Sequence, residues 1–348
     1  MKTKIWDMRA FHNDVTQHPD IKEIKSVVEQ GGLIGLPTET VYGLAANAKD
    51  EQAVSKIYEA KGRPSDNPLI VHIHDMKQLH DFTYNIDPRV IELMTAFWPG
   101  PISFILPLKE GYLCSKVTGG LESVAVRMPS HSVGRQILQA INEPLAAPSA
   151  NLSGRPSPTT FEHVYHDLNG RIDGIIQANQ SEEGLESTVL DCTSFPFKIA
   201  RPGSITTTMI EQVIPNSVVE SNYNNTSQPI APGMKYKHYS PETSLKMITN
   251  LTSIAQSPMT DFSAVAFIVP KDKQQFLPKE AKFIELCKND QDIRLANHRL
   301  YSILHDIDKN DDIKEAYIYS FELNDQTEAI VNRISKAAGN QSVEGRAI

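Results

Sequence analysis

The chain has 348 residues, 40% hydrophobic and 22% charged, a balance that favours packed cores and leaves length for two domains. Its net charge of −8 weighs against a non-specific nucleic-acid binder with a globally basic surface, but leaves room for a local basic pocket. The longest apolar run, around Ser263 to Val269, is far shorter than the roughly 20 residues of a membrane-spanning helix, and MKTKIWDMRAFHND lacks a signal-peptide core, so the expected location is cytoplasmic.

Cys114, Cys192 and Cys287 lie far apart with no C-x-x-C pair; they read as small buried hydrophobes rather than a disulfide frame or zinc knuckle. The first 213 residues alternate helical and strand patterns. IKEIKSVVEQGG predicts an amphipathic helix closed by glycine, and GLIGLP a strand. EQAVSKIYEAKG predicts a helix, NPLIVHI a strand, and DPRVIELMTAFWPG a helix opened by Asp87 and Pro88 and stopped at Pro99. Strands follow at PISFILPL and SVAVRMP, a helix at SVGRQILQAI, a strand at PLAAPSA and a helix at FEHVYHDL. GIIQ, STVLDC and FKIAR close the region as strands, predicting a mixed rather than purely parallel sheet. From Pro215 to Gly233 the composition turns to Asn, Ser and Pro, which reads as a linker or extended arm. Beyond it, strands at SLKMIT, SAVAFIVP, KFIELC and EAYIYSFEL, with helices at RLANHRLYSILHDID and TEAIVNRISKAAG, predict a second, smaller α/β domain.

Neither G-x-x-x-x-G-K-[ST] nor a helix-opening G-x-G-x-x-G occurs, so a bound nucleotide would be held by side chains. PTETVYGL, residues 37–44, delivers a strand to a hydroxyl-rich elbow carrying Thr38, Glu39 and Thr40. KGRPSDNP sets Lys61 and Arg63 at a helix end, where the dipole alone favours cations; the same rigid turn suits a polyphosphate. PSANLSGRPSPT is longer than a helix cap needs, and two polar strand ends could form the crevice where open α/β sheets bind ligands. Arg127 and Arg201 sit on apolar strands, and each needs an anionic partner, either a structural Asp or Glu or a ligand carboxylate. His72 and His74 share a strand face, but no further ligands stand at metal spacing; a pocket-lining histidine is the better reading and no protein-held metal is expected. KYKHYSP mixes Lys235, Lys237 and His238 with Tyr236 and Tyr239, and reads as an arm that folds back over a pocket.

GLPTETVYGL, KGRPSDNPL, FWPGPISFIL, SVAVRMPSH, APSANLSGRPSPT, ESTVLD and ARPGSI occur in the order typical of the YrdC-like family. APGMKYKHYSP and the second domain resemble its long, two-domain form. The resemblance implies a twisted mixed-sheet α/β domain over 14–214, a linker or arm over 215–241 folding across the active site, and a smaller Rossmann-like α/β domain over 242–348. It also implies an activity: L-threonine, bicarbonate and ATP, with Mg2+, give threonylcarbamoyl-AMP and pyrophosphate. The product would pass to a tRNA threonylcarbamoyl transferase complex that modifies adenosine 37 of tRNAs reading ANN codons. By the same resemblance Thr40, His72, Arg127 and Ser187 would hold threonine, with Arg127 on its carboxylate. Arg63, Asn67, Ser123, Ser149, Ser157 and Arg201 would hold ATP, while Lys61 and Asn151 complete the K-x-R and S-x-N pairs. Lys61 and Arg63 are the expected catalytic cations, and an arm residue, Tyr236 or His238, approaches the nucleotide.

Two rivals stand beside this reading. One is a module that binds RNA or nucleotide on a local basic concavity without chemistry. The other is a carbamoyltransferase-like maturation factor, which would need zinc-finger-like segments that three dispersed cysteines do not supply.

Overall fold

The computed structural model describes residues 1–220, 228–234 and 238–348. They divide into two compact units, Met1–Ser153 with Ser157–Lys235, and Gly154–Pro156 with Tyr236–Ile348. Among the described residues no helix is long and apolar enough to cross a membrane.

The first unit is built on strands β1 (Lys4–Asp7), β2 (Ile34–Leu36), β3 (Gly43–Asn47), β4 (Ile70–His72), β5 (Ile102–Pro107), β6 (Ser123–Arg127), β7 (Leu145–Ala146), β8 (Gly174–Gln177), β9 (Thr188–Asp191), β10 (Phe197–Arg201) and β11 (Val218–Val219). Their order across the sheet is β1-β8-β2-β3-β7-β4-β6-β5-β9-β10-β11. Parallel pairs such as β4 with β6 and β5 with β9 alternate with antiparallel ones such as β2 with β3 and β6 with β5, so the sheet is mixed, as the clustered strands implied. The expected helices form at Ile21–Glu29, Glu51–Lys61, Pro88–Phe97, Ser132–Ile141 and Phe161–Leu168. Strands β1, β3 and β11 fall outside the expected set: KIWD is only four residues long, GLAAN carries no β-branched side chain, and Val218–Val219, inside the stretch read as linker, pairs parallel with β10 at the sheet edge.

Register puts chemistry and core on opposite faces. His72 pairs with Arg127 and Arg127 with Ser103, so these three polar side chains stand in a row across β4, β6 and β5. The alternate residues Val71, Val126 and Phe104 point to the other face, where they join the main core cluster. A one-residue slip would exchange the two sets.

The second unit holds strands β12 (Ser244–Thr249), β13 (Val265–Val269), β14 (Lys282–Glu285), β15 (Glu315–Tyr319) and β16 (Ser342–Glu344). They form one sheet in the order β14-β13-β15-β12-β16, and every adjacent pair is parallel. Helices Ile293–Asp308 and Glu328–Ala337 accompany it, giving the smaller α/β unit expected from the strand and helix patterns.

Candidate active site

Pro37 leaves β2 and the chain turns through Thr38, Glu39 and Thr40, all at most 4% exposed, before returning as β3. The turn is built from its own hydroxyls. Thr38 Oγ1 donates to the Val41 carbonyl at 2.5 Å and accepts from the Thr40 N–H at 3.3 Å, with Thr40 Oγ1 3.0 Å away. With its hydroxyl proton directed at Thr38, Thr40 keeps oxygen lone pairs to accept from a ligand. From outside, helix Ser132–Ile141 supports the turn: a Cβ on Gly134 would lie 2.0 Å from the Pro37 carbonyl oxygen, so only glycine allows this approach. Tyr42 is fully buried beneath the loop and its hydroxyl accepts from the Ala178 N–H at 3.1 Å.

Glu39 is the anion that Arg127 requires. Its Oε1 accepts from Arg127 Nη1 at 2.7 Å and its Oε2 from the Ser130 N–H at 3.1 Å, with both side chains at most 5% exposed. Burial works against the guanidinium charge and the Glu39 carboxylate offsets it. One Nη1 bond leaves other guanidinium N–H groups for a ligand carboxylate. His72 completes the group. Its Nε2 lies 3.4 Å from Arg127 Nη2 and its Nδ1 3.1 Å from the Ile70 carbonyl, which assigns the proton to Nδ1. Burial, and then the neighbouring Arg127, push the imidazole down to about 3, so it is neutral at physiological pH.

Ser103 carries the row onward. Its hydroxyl is 2.8 Å from Ser187 Oγ, and Arg201 donates to the Ser187 carbonyl from Nε at 3.1 Å and from Nη2 at 3.0 Å. Arg201 Nη1 also reaches the Pro232 carbonyl at 3.3 Å. Within the same unit, Ala231 is buried against Ile70, Ile105, Ala125 and Val189, with Ile230 and Met234 beside it. Ile70 and Ala125 share a strand face with His72 and Arg127, so the described part of the arm covers one end of the polar row. Ser157, fully buried, donates to Glu186, which adjoins Ser187.

A second group forms where KGR meets the SAN loop. Helix Glu51–Lys61 is capped by Asp50, whose carboxylate accepts from the Gln52 and Ala53 N–H groups, and it ends at Gly62 in the left-handed region, φ 62°. Lys61, 3% exposed, donates to the Ser149 carbonyl and, at 2.6 Å, to the Asn151 carbonyl. Burial and Arg63 push its ammonium well below the usual lysine range. Arg63 lines an open groove of about 410 Å³ with Tyr58, Glu59, Ser65 and Lys116. Asn67 is fully buried, and neither end of its amide has a described hydrogen-bond partner, an arrangement suited to a ligand. Ser123 opens β6 on the same face as Arg127, and Ser149 bridges Gly43 at the foot of the elbow.

The structure thus gathers His72, Arg127, Ser187 and Arg201 along one face, with Thr40 on the elbow beside the Arg127 partner Glu39, and Lys61, Ser149 and Asn151 around another loop of the same unit. His238 belongs to the second unit, its ring 5.4 Å from that of Tyr239, which lies 5.6 Å from Tyr301. Tyr236 lies outside the described residues. Two residues escaped sequence reasoning as partners. Glu39 reads in the sequence only as part of the elbow, and Ser103 stands out by no pattern. The only signal was the need of Arg127 for an anion, which could not choose among distant carboxylates.

Comparisons with known proteins bear on the family and the fold. Residues 26–203 match the Sua5/YciO/YrdC family model, described as telomere recombination, and residues 205–339 match the threonylcarbamoyl-AMP synthase C-terminal domain. A threonylcarbamoyl-AMP synthase of Bacillus subtilis is 41% identical over 99% of this chain and 100% of its own length. One from Schizosaccharomyces pombe is 33% identical, covering 88% of this chain and 84% of its own. Among solved structures, Pyrococcus abyssi Sua5 complexed with L-threonine superposes with a TM-score of 0.86 at 33% identity, covering 98% of this chain and 99% of that one. The chain belongs to the Sua5/YrdC family of threonylcarbamoyl-AMP synthases.

Proposed function

We propose that this chain condenses L-threonine, bicarbonate and ATP into threonylcarbamoyl-AMP and pyrophosphate. The observation that carries the reading is the buried row of Glu39, Arg127, His72, Ser103, Ser187 and Arg201 on one sheet face. A cation held by a carboxylate, beside a neutral imidazole and two hydroxyls, suits a small amino acid. Arg127 takes its carboxylate, while Thr40, His72 and Ser187 accept from or donate to its amine and hydroxyl.

The threonine nitrogen bonds to the bicarbonate carbon and water leaves, giving a carbamate. A carbamate oxygen then attacks the α-phosphorus of ATP as the bond to the β-phosphate breaks and pyrophosphate departs. No step needs an enzymic nucleophile, so the side chains act by positioning and charge. Arg63 and Arg201 neutralise phosphate charge, and Asn67, Ser123, Ser149, Asn151 and Ser157 orient the nucleotide. Lys61, pinned to the Ser149 and Asn151 carbonyls, fixes the SAN loop against the KGR turn. Residues 230–234 keep water from one end of the row, which matters because carbamates and mixed anhydrides hydrolyse.

Among the described residues no group of three or more His, Cys, Asp or Glu side chains could hold a metal. Glu39 and Glu186 are already engaged by Arg127 and Ser157. The donor set does not fit a protein-held ion, and magnesium enters as part of MgATP, ligated by phosphate oxygens. The product is expected to pass to a transferase acting on tRNA. The test is pyrophosphate release from ATP with threonine and bicarbonate omitted in turn. Dependence on both is expected; release indifferent to threonine refutes the reading.

A further inference from the structure

The second unit carries a cleft that the synthase reaction leaves without a role. After β12 the chain turns into the short helix Leu251–Gln256, whose Leu251 and Ile254 pack with Ile248, Phe267 and Tyr317 on one sheet face. After β15 it leads to helix Glu328–Ala337, which lies on the opposite face, with Ser335 Oγ 3.5 Å from Met247 Sδ. Neighbouring parallel strands β12 and β15 therefore send their continuations to opposite faces, and a crevice opens between their carboxyl ends. It holds about 430 Å³, within the roughly 300–1,000 Å³ of small-molecule sites, and is lined by Thr249, Asn250, Thr252, Lys273, Phe276 and Ser320 among others.

The lining selects the ligand's chemistry. Lys273 is held between Asp272 Oδ2 at 3.2 Å and Asp290 Oδ1 at 3.1 Å, so two carboxylates face one ammonium and a phosphate finds no net positive charge. Tyr319 donates to Asp290 at 3.2 Å, fixing its ring at the cleft wall. Phe276 lines the cleft and is 38% exposed, so part of its apolar surface is open to a ligand there. The Ser320 hydroxyl makes no hydrogen bond to a described residue, and the Asn250 Oδ1 accepts only from Thr252 at 3.2 Å. An exposed aromatic face beside uncharged donors and acceptors, without net cation, matches a planar, neutral heterocycle. We propose that this cleft binds a nucleobase, supplied either by a free nucleoside or by an unpaired base of RNA.

The test follows amide hydrogen exchange of the full chain by mass spectrometry, with adenosine, a single-stranded oligoadenylate and inorganic phosphate as probes. Exchange is read on peptides covering residues 248–252 and 319–320, which separates this cleft from any binding in the first unit. Adenosine or oligoadenylate should slow exchange there, and phosphate should not. Equal protection by both identifies a free nucleoside as sufficient; protection by oligoadenylate at far lower concentration identifies RNA. Phe276→Ala, at an exposed ring, should weaken the protecting probe at least tenfold while threonine-dependent pyrophosphate release is unchanged. No protection by either base-containing probe, protection by phosphate, or protection that survives both Phe276→Ala and Ser320→Trp overturns the proposal.

Discussion

Replacing Glu39 with glutamine tests the proposed threonine site at its support. The Glu39 and Arg127 side chains are 5% and 3% exposed, so the guanidinium is screened by protein rather than water. Stripping a buried charge of its partner destabilises by about 3–5 kcal/mol. Glutamine keeps a carbonyl that can accept from Arg127 Nη1 and loses the charge, so the expected loss is about 1.5–3 kcal/mol, the size of a charge-assisted bond. The second carboxylate oxygen, which accepts from the Ser130 N–H at 3.1 Å, becomes an NH2 facing another donor, and the side chain must turn. Arg127 then no longer has one orientation in which to meet a carboxylate. The threonine KM should rise roughly 10- to 100-fold, equivalent to about 1.4–2.7 kcal/mol, while the ATP KM changes little. Threonine saturation of pyrophosphate release, run beside urea unfolding, reads both quantities. A variant that is destabilised but keeps its threonine KM would show that Glu39 only supports the fold, and the positioning argument would be wrong.

His72 supplies a pH signature. Its folded-state value is depressed to about 3 against 6.5 for an ordinary histidine, so the unfolded chain binds the extra proton first. Its contribution to stability is present above pH 6.5 and is lost as pH falls towards 3, by up to about 1.4 kcal/mol per pH unit; urea unfolding of His72→Gln should show a shallower acid slope. At Asn67, whose buried amide meets no described partner, leucine should leave stability unchanged or raise it while the ATP KM rises about tenfold; a destabilised variant with normal ATP kinetics would make the residue structural. Gly134→Ala brings a methyl to 2.0 Å from the Pro37 oxygen and should lower stability by about 1–3 kcal/mol in denaturant melts, with weaker threonine binding through the displaced elbow. Serine lacks one methyl of threonine, so serine-dependent pyrophosphate release should be weaker by roughly 10–200-fold in kcat/KM, not absent.

Local pattern was enough for most of the elements. Helix Glu51–Lys61 announces itself by an Asp cap and a glycine stop, and β4 to β6 by apolar runs bounded by proline and glycine, because caps and periodicity act over a few residues. The KGR, SAN and VAVRMP motifs could likewise be picked out by their polar groups at strand and helix ends. Strand β3 could not, since GLAAN is held as a strand by its neighbours β2 and β7 and not by its own propensity. Nor could the partner of Arg127: the sequence demanded an anion, but Glu39 lies 88 positions away, and β6 must reach its place in the sheet before the two can meet. The same holds for Ser103 and Ser187, 84 positions apart and joined by the register of β5 on β9. Chemistry-bearing residue types are written locally along the chain; which of them share a face, a proton or a charge is set by strand order and register, which depend on the packing of the whole sheet.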